Sequence, residues 1–128
     1  NSVEMLTHLD NIAVGLPLKI KFDLKILNPS TEIHFGIYNL ENQKITHITT
    51  SYFTSFIPLS NTIICEIPKL NLAEGHYYIN ILLKDKLVHE RYENCLQFHV
   101  SSGAFYSEDR IVTNSDFNVL LEHLWINQ

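Results

Sequence analysis

Leu70-Asn71-Leu72-Ala73-Glu74-Gly75-His76-Tyr77-Tyr78-Ile79-Asn80-Ile81-Leu82-Leu83-Lys84-Asp85 is the stretch whose reading decides the fold. Glu74-Gly75 reads as a tight turn, and beyond it Tyr77, Ile79, Ile81 and Leu83 recur on one face of a strand. Phe98-His99-Val100 follows it and the polar segment Asn39–Gln43 precedes it. Together they predict an all-β chain, an antiparallel β-sandwich of immunoglobulin-like or jelly-roll-like order.

The flanking segments repeat the same period of two. Leu18, Ile20, Phe22, Leu24 and Ile26 alternate with Lys19, Lys21, Asp23 and Lys25, the pattern of a half-buried strand, and Asn28-Pro29-Ser30 ends it as a turn. Ile33, Phe35 and Ile37 then alternate with His34, Gly36 and Tyr38. Asn39–Gln43 makes a hairpin into Lys44–Thr50, where Ile45 and Ile48 break strict alternation. Ser51–Asn61 has no period and holds Tyr52, Phe53 and Phe56, which suit either the core or a binding loop. Ile63, Cys65 and Ile67 share a face before Pro68 closes that strand. The last core strand runs near Asn94–Val100, with Leu96, Phe98 and Val100 inward.

The expected organisation is one domain over 1–128, with a core sandwich at 16–100, a polar linker at 101–116 and a closing strand at 117–126. The tail has two readings. Ser115 or Asp116 would cap a short helix, or Phe117, Val119 and Leu121 would line one face of an edge strand. A closing strand on a long linker is free to pair with a neighbouring molecule. Asn1 opens the chain and Met5 is its only methionine, so it reads as a piece of something longer.

Composition excludes more than it selects. The net charge of −5 argues against a nucleic-acid backbone as ligand, and Lys19, Lys21 and Lys25 read as a solvated strand face. No apolar run approaches the ~20 residues of a membrane-spanning helix. Cys65 and Cys95 lack Cys-x-x-Cys spacing and read as two buried free thiols. With four glycines there is no material for a phosphate-cradling loop. Seven histidines form no His-x-x-x-His pair, so His34, His76 and His99 read as surface imidazoles rather than metal ligands, and no cofactor is expected. Glu66, Glu74, Asp85, Glu90 and Glu93 fall in turns and outward positions, unpaired for glycoside hydrolysis, and the chain is expected not to be an enzyme.

The outward residues of three strands are more selective. Strands beginning near Glu32, His76 and Asn94 should lie in one sheet, whose solvent face presents His34, Tyr38, His76, Tyr78, Asn80, Gln97 and His99. Aromatic rings stack on the apolar faces of sugars, while amides and imidazoles hydrogen-bond hydroxyls. Such residues are also good β-formers with favourable cross-strand pairing, so the pattern alone leaves both readings open. The candidate carbohydrate-binding residues are His34, Tyr38, Tyr78, Asn80, Gln97 and His99.

The order of motifs resembles a known family. Val14-Gly15 precedes an alternating strand, followed by Phe35-Gly36-Ile37-Tyr38, a polar hairpin, Leu70–Tyr77 and Phe98-His99-Val100. Val119-Leu120-Leu121-Glu122-His123-Leu124-Trp125 then looks like a closing strand with its tryptophan. In this order they resemble the C-terminal carbohydrate-binding domain of the ATP-binding subunit of O-antigen polysaccharide ABC transporters, the Wzt type. Departures fall in loops: Asn42-Gln43 and Asp116-Phe117 stand where the family commonly has a glycine.

The resemblance implies a missing N-terminal ATPase and a place at the cytoplasmic face of a Gram-negative inner membrane. It also implies recognition of the non-reducing end of a lipid-linked O-polysaccharide, and a homodimer exchanging the last strand, which favours strand over helix for the tail. The competing expectation is a protein-interaction sandwich that binds no glycan.

Overall fold

The computed structural model describes residues 2–25, 30–52, 58, 60–86, 89–102 and 121–128. Among the described residues, eight strands form two four-stranded sheets in which every neighbouring pair is antiparallel. One sheet has β1 (Ser2–Met5), β2 (Leu18–Asp23), β5 (Thr62–Ile67) and β8 (Leu124–Asn127), in that order. The other runs β4 (Lys44–Thr49), β3 (Glu32–Asn39), β6 (Gly75–Lys84) and β7 (His89–Val100). The chain is an all-β sandwich, as the alternation predicts.

The core is the set of inward positions read from the period of two. Leu18, Ile20, Phe22, Ile63, Cys65 and Ile67 of the first sheet are fully buried, as are Ile33, Ile37, Ile79 and Val100 of the second. Phe22 and Phe35 join the layers with ring centroids 5.5 Å apart. Trp125 of β8 closes the triad, 5.7 Å from Phe22 and 5.8 Å from Phe35. The turn before β6 is locked by its own tyrosine: the Tyr77 hydroxyl donates to the Ala73 carbonyl at 2.6 Å, and Gly75 takes φ 149°. Burial pushes the Tyr77 phenol above its usual pKa, since the anion could not be solvated there.

Several expectations change. β1 was not anticipated; Val3 and Met5 pack only partly against the core, too short an alternation to read. β7 begins at His89, not near Asn94, because a bulge interrupts it. Tyr92 pairs with Ile81 and Leu96 with Ile79, so Glu93, Asn94 and Cys95 all stand opposite Asn80. Cys95 therefore lies half-buried on β7, against the expectation of two buried thiols, although both cysteines are free. β4 is also bulged: Ile37 faces Thr46 and Tyr38 faces Lys44, which turns both Ile45 and Ile48 inward and explains the broken alternation.

Of the expected closing strand at 117–126, residues 117–120 lie outside the described residues; β8 covers Leu124–Asn127 and pairs with β5 of its own chain. Leu121–His123 precede it outside any strand or helix, so the helical alternative fails for them. Phe117, Val119, Ser115 and Asp116, the turn at Asn28-Pro29, and Phe53 and Phe56 of the aromatic loop lie outside the described residues.

Candidate functional site

The outer face of the β4–β3–β6–β7 sheet is built in rows by strand register. His76 faces His99, with ring centroids 4.5 Å apart. One row along, Tyr78 faces Tyr38 on one side and Gln97 on the other. The two tyrosine rings lie 5.2 Å apart with planes only 13° from parallel. Asn80 comes next, opposite Gly36. A groove of about 1210 Å³ runs over these rows. Its floor carries Tyr38, Tyr78, Asn80, Gln97, His76 and His99, and its rim is formed by Leu9, Asp10, Leu40 and Asn42.

Local sequence explains why the rings are held. Asn39 Oδ1 accepts from the backbone N–H groups of Glu41 and Gln43, each at 3.0 Å, which folds the hairpin around a single side chain. Asn42 then takes the left-handed conformation at φ 62°, which asparagine tolerates better than most residues. Its Oδ1 accepts the Tyr78 hydroxyl proton at 2.7 Å. Tyr38 lies along its own strand over Gly36. A Cβ at Gly36 would sit 2.7 Å from Tyr38 Cε1 and 3.2 Å from Lys44 Cε, so the absence of a side chain makes room for the ring. The Lys44 ammonium sits 5.7 Å from the Tyr38 ring centroid, within cation–π range.

The floor beyond the tyrosines is a network of amides. Asn80 Oδ1 accepts the Asn94 backbone N–H at 2.6 Å and so staples the β7 bulge. Gln97 Nε2 donates to Asn94 Oδ1 at 3.0 Å. Asn94, at φ 51°, presents its side chain into the groove because of that bulge.

Five of the six sequence-derived candidates, Tyr38, Tyr78, Asn80, Gln97 and His99, meet in this groove. His34 does not. It belongs to a neighbouring depression and is tied by Nε2 to Glu32 at 2.9 Å and by Nδ1 to His47 Nε2 at 3.0 Å. The His47 pKa is lowered, first by burial, then by Lys44 and His34. Sequence reading missed Asn42, Asn94, Asp10 and His47. Asn42 was legible as a turn residue, but which side of the sheet its turn leans over depends on packing. Among the described residues, no three His, Cys, Asp or Glu side chains converge as ligands for a metal ion.

The site thus offers parallel rings flanked mainly by neutral donors and acceptors, with Asp10 and Glu93 also on the lining of a groove open to solvent. That chemistry suits reversible binding of a ligand with apolar ring faces and hydroxyl edges. Among the described residues, no helix is long and apolar enough to cross a membrane. No curated protein matches the chain. The family model of the Wzt C-terminal domain matches residues 2–113, and the chain belongs to that family, the C-terminal domain of the ATP-binding subunit of the Wzt ABC transporter.

Proposed function

We propose that this domain is a non-catalytic carbohydrate-binding module that recognises the non-reducing terminus of a lipid-linked O-antigen polysaccharide for export. Its place in the Wzt ABC transporter follows from the family, and the finer role rests on the groove. The observation that carries it is the Tyr38–Tyr78 pair, held nearly parallel by Gly36 on one side and Asn42 on the other. Rings fixed before the ligand arrives lose little side-chain entropy on binding, and sugar faces stack on them. Asn80, Asn94, Gln97 and His99 supply hydrogen-bond partners for hydroxyls without fixed charge.

In the assembled transporter the domain works beside the ATP-binding domain and the membrane subunit, at the cytoplasmic face of the inner membrane. It works as a homodimer exchanging β8. Two features support that exchange: β8 is an edge strand, and its outward Leu124 and Ile126 are each 39 % exposed. A concentration-independent monomer in sedimentation would remove the dimer from this account.

The test is affinity for the O-polysaccharide of the protein's own organism, with an unrelated O-polysaccharide as control. Tyr38→Ala and Tyr78→Ala should each weaken binding about tenfold, the loss of roughly 1 kcal/mol or more of stacking. Unchanged affinity in both variants, with folding intact, would reject this groove. A second reading has one observation in its favour: Leu9 and Leu40 at the rim are 62 % and 69 % exposed, which suits a protein partner. It predicts binding to no glycan at all.

A further inference from the structure

His76 of β6 and His99 of β7 stand directly opposite each other in the end row of the outer face. No spacing rule links two residues so far apart in the chain; antiparallel register alone brings them together. Opposed residues share a face, with Cβ atoms about 4.5–5.5 Å apart. Here the ring centroids lie 4.5 Å apart, with the planes tilted by 52°. Both side chains are exposed.

The pair differs from most other histidines in what engages it. His8 accepts from the Asp10 backbone, His34 and His47 bond each other, and His123 bonds the Leu121 carbonyl. Among the described residues, no hydrogen bond or ion pair engages His76 or His99. Each neutral imidazole therefore keeps a nitrogen lone pair for an incoming group.

The surroundings select the sign of that group. The charged residues lining the groove are Asp10 and Glu93, with no lysine or arginine among the described lining residues. The protein also carries a net charge of −5, so the local and the overall field both favour a cation. Imidazole nitrogen suits zinc, copper and nickel, whereas magnesium and calcium take oxygen ligands. Zinc holds its nitrogens at about 2.0–2.1 Å, which puts two of them about 3.4 Å apart in tetrahedral geometry. Rings with centroids 4.5 Å apart can present that span after a small rotation of exposed side chains.

We propose that His76 and His99 form a two-point site for a divalent transition-metal ion of the zinc class. No third His, Cys, Asp or Glu side chain converges there among the described residues, so the remaining coordination positions go to water or to a ligand in the groove. The site is accordingly an open, exchangeable one, unlike a four-ligand structural zinc centre. Metal binding by this pair does not depend on the carbohydrate reading of the groove.

The test titrates the intact chain, free of any histidine tag, with zinc chloride and follows the histidine imidazoles by NMR, with magnesium chloride as control. Saturable shifts of His76 and His99 together, with one ion bound per chain, are expected from zinc and none from magnesium. His76→Gln and His99→Gln should each weaken zinc binding about tenfold or more, at least the cost of losing an outer-shell partner. His89→Gln, at an exposed position elsewhere on β7, should leave it unchanged. No saturable shift with zinc, an equal response to magnesium, or wild-type affinity in either single variant would overturn the site. So would a loss in His89→Gln as large as that in His99→Gln.

Discussion

The two sheets share one core, yet their outer faces differ under the same alternation. On the β1–β2–β5–β8 sheet, the outward positions of β1 and β2 are mostly charged and satisfy one another, while Ile64 of β5 and Leu124 and Ile126 of β8 are apolar. Lys21 Nζ lies 3.5 Å from Glu4 Oε1 and 3.7 Å from Asp23 Oδ2, and Lys19 stands opposite Glu66. The β1–β2 part of that face is strongly hydrated and offers no aromatic ring for a sugar's apolar side. On the β4–β3–β6–β7 sheet, the central outward positions are rings and amides, tied by hydrogen bonds that leave ring area exposed. The difference lies in the alternate residues, since the inward ones are mostly apolar on both sheets. Inward residues make the sandwich; outward ones distinguish the proposed binding sheet from the other.

The largest effect should come from breaking what the sheets hold in common. Trp125 is the only tryptophan, buried at 8 % exposure between Phe22 and Phe35. Trp125→Ala removes most of the area that seats β8 and should cost about 3–5 kcal/mol in denaturant unfolding. The tyrosine-to-alanine variants, at half-exposed positions, should cost far less stability than affinity. If Trp125→Ala cost under about 1 kcal/mol, β8 would not be seated on this core.

That shared core was the part most legible from residues alone. Ile20, Phe22, Ile63, Cys65, Ile79 and Ile81 announce themselves because burial on one face forces a period of two, and each landed inward. The bulges were not legible. At Ile45 one extra residue shifts the period and at Glu93–Cys95 two are inserted, and only the partner strand reveals where. The site was legible as a face but not as a groove. Tyr38, Tyr78 and Gln97 follow from register, whereas Asn42 and Asp10 reach the groove through a hairpin and a 3-10 turn whose tilt depends on tertiary packing. His34 shows the converse, an outward residue on the correct sheet whose neighbours His47 and Glu32 draw it into a separate network.

A smaller effect would sharpen the contrast within the sheet proposed to bind. Gly36→Ala places a methyl 2.7 Å from Tyr38 Cε1, and the ring, as the far end of a flexible side chain, should swing away. Leaving a preferred rotamer costs roughly 0.5–1.5 kcal/mol, so glycan affinity should fall roughly two- to tenfold. Stability should hold or rise slightly, because alanine suits a strand better than glycine does. Affinity unchanged alongside retained stability would mean that Tyr38 need not lie over Gly36 to bind.

The smallest effect belongs to the charged face, and its smallness is the point. Lys21 has two acidic neighbours, yet its side chain is 26 % exposed and Glu4 and Asp23 are 58 % and 42 % exposed. Water competes for all three charges, and holding the long side chains in place costs entropy. Lys21→Ala should therefore change unfolding free energy by less than about 1 kcal/mol, with the small loss fading as salt is added. It should leave glycan affinity untouched, since Lys21 lies on the opposite sheet from Tyr38 and Tyr78. A drop in affinity matching that of Tyr78→Ala would erase the distinction between the faces, because the ligand would then have to reach both sheets.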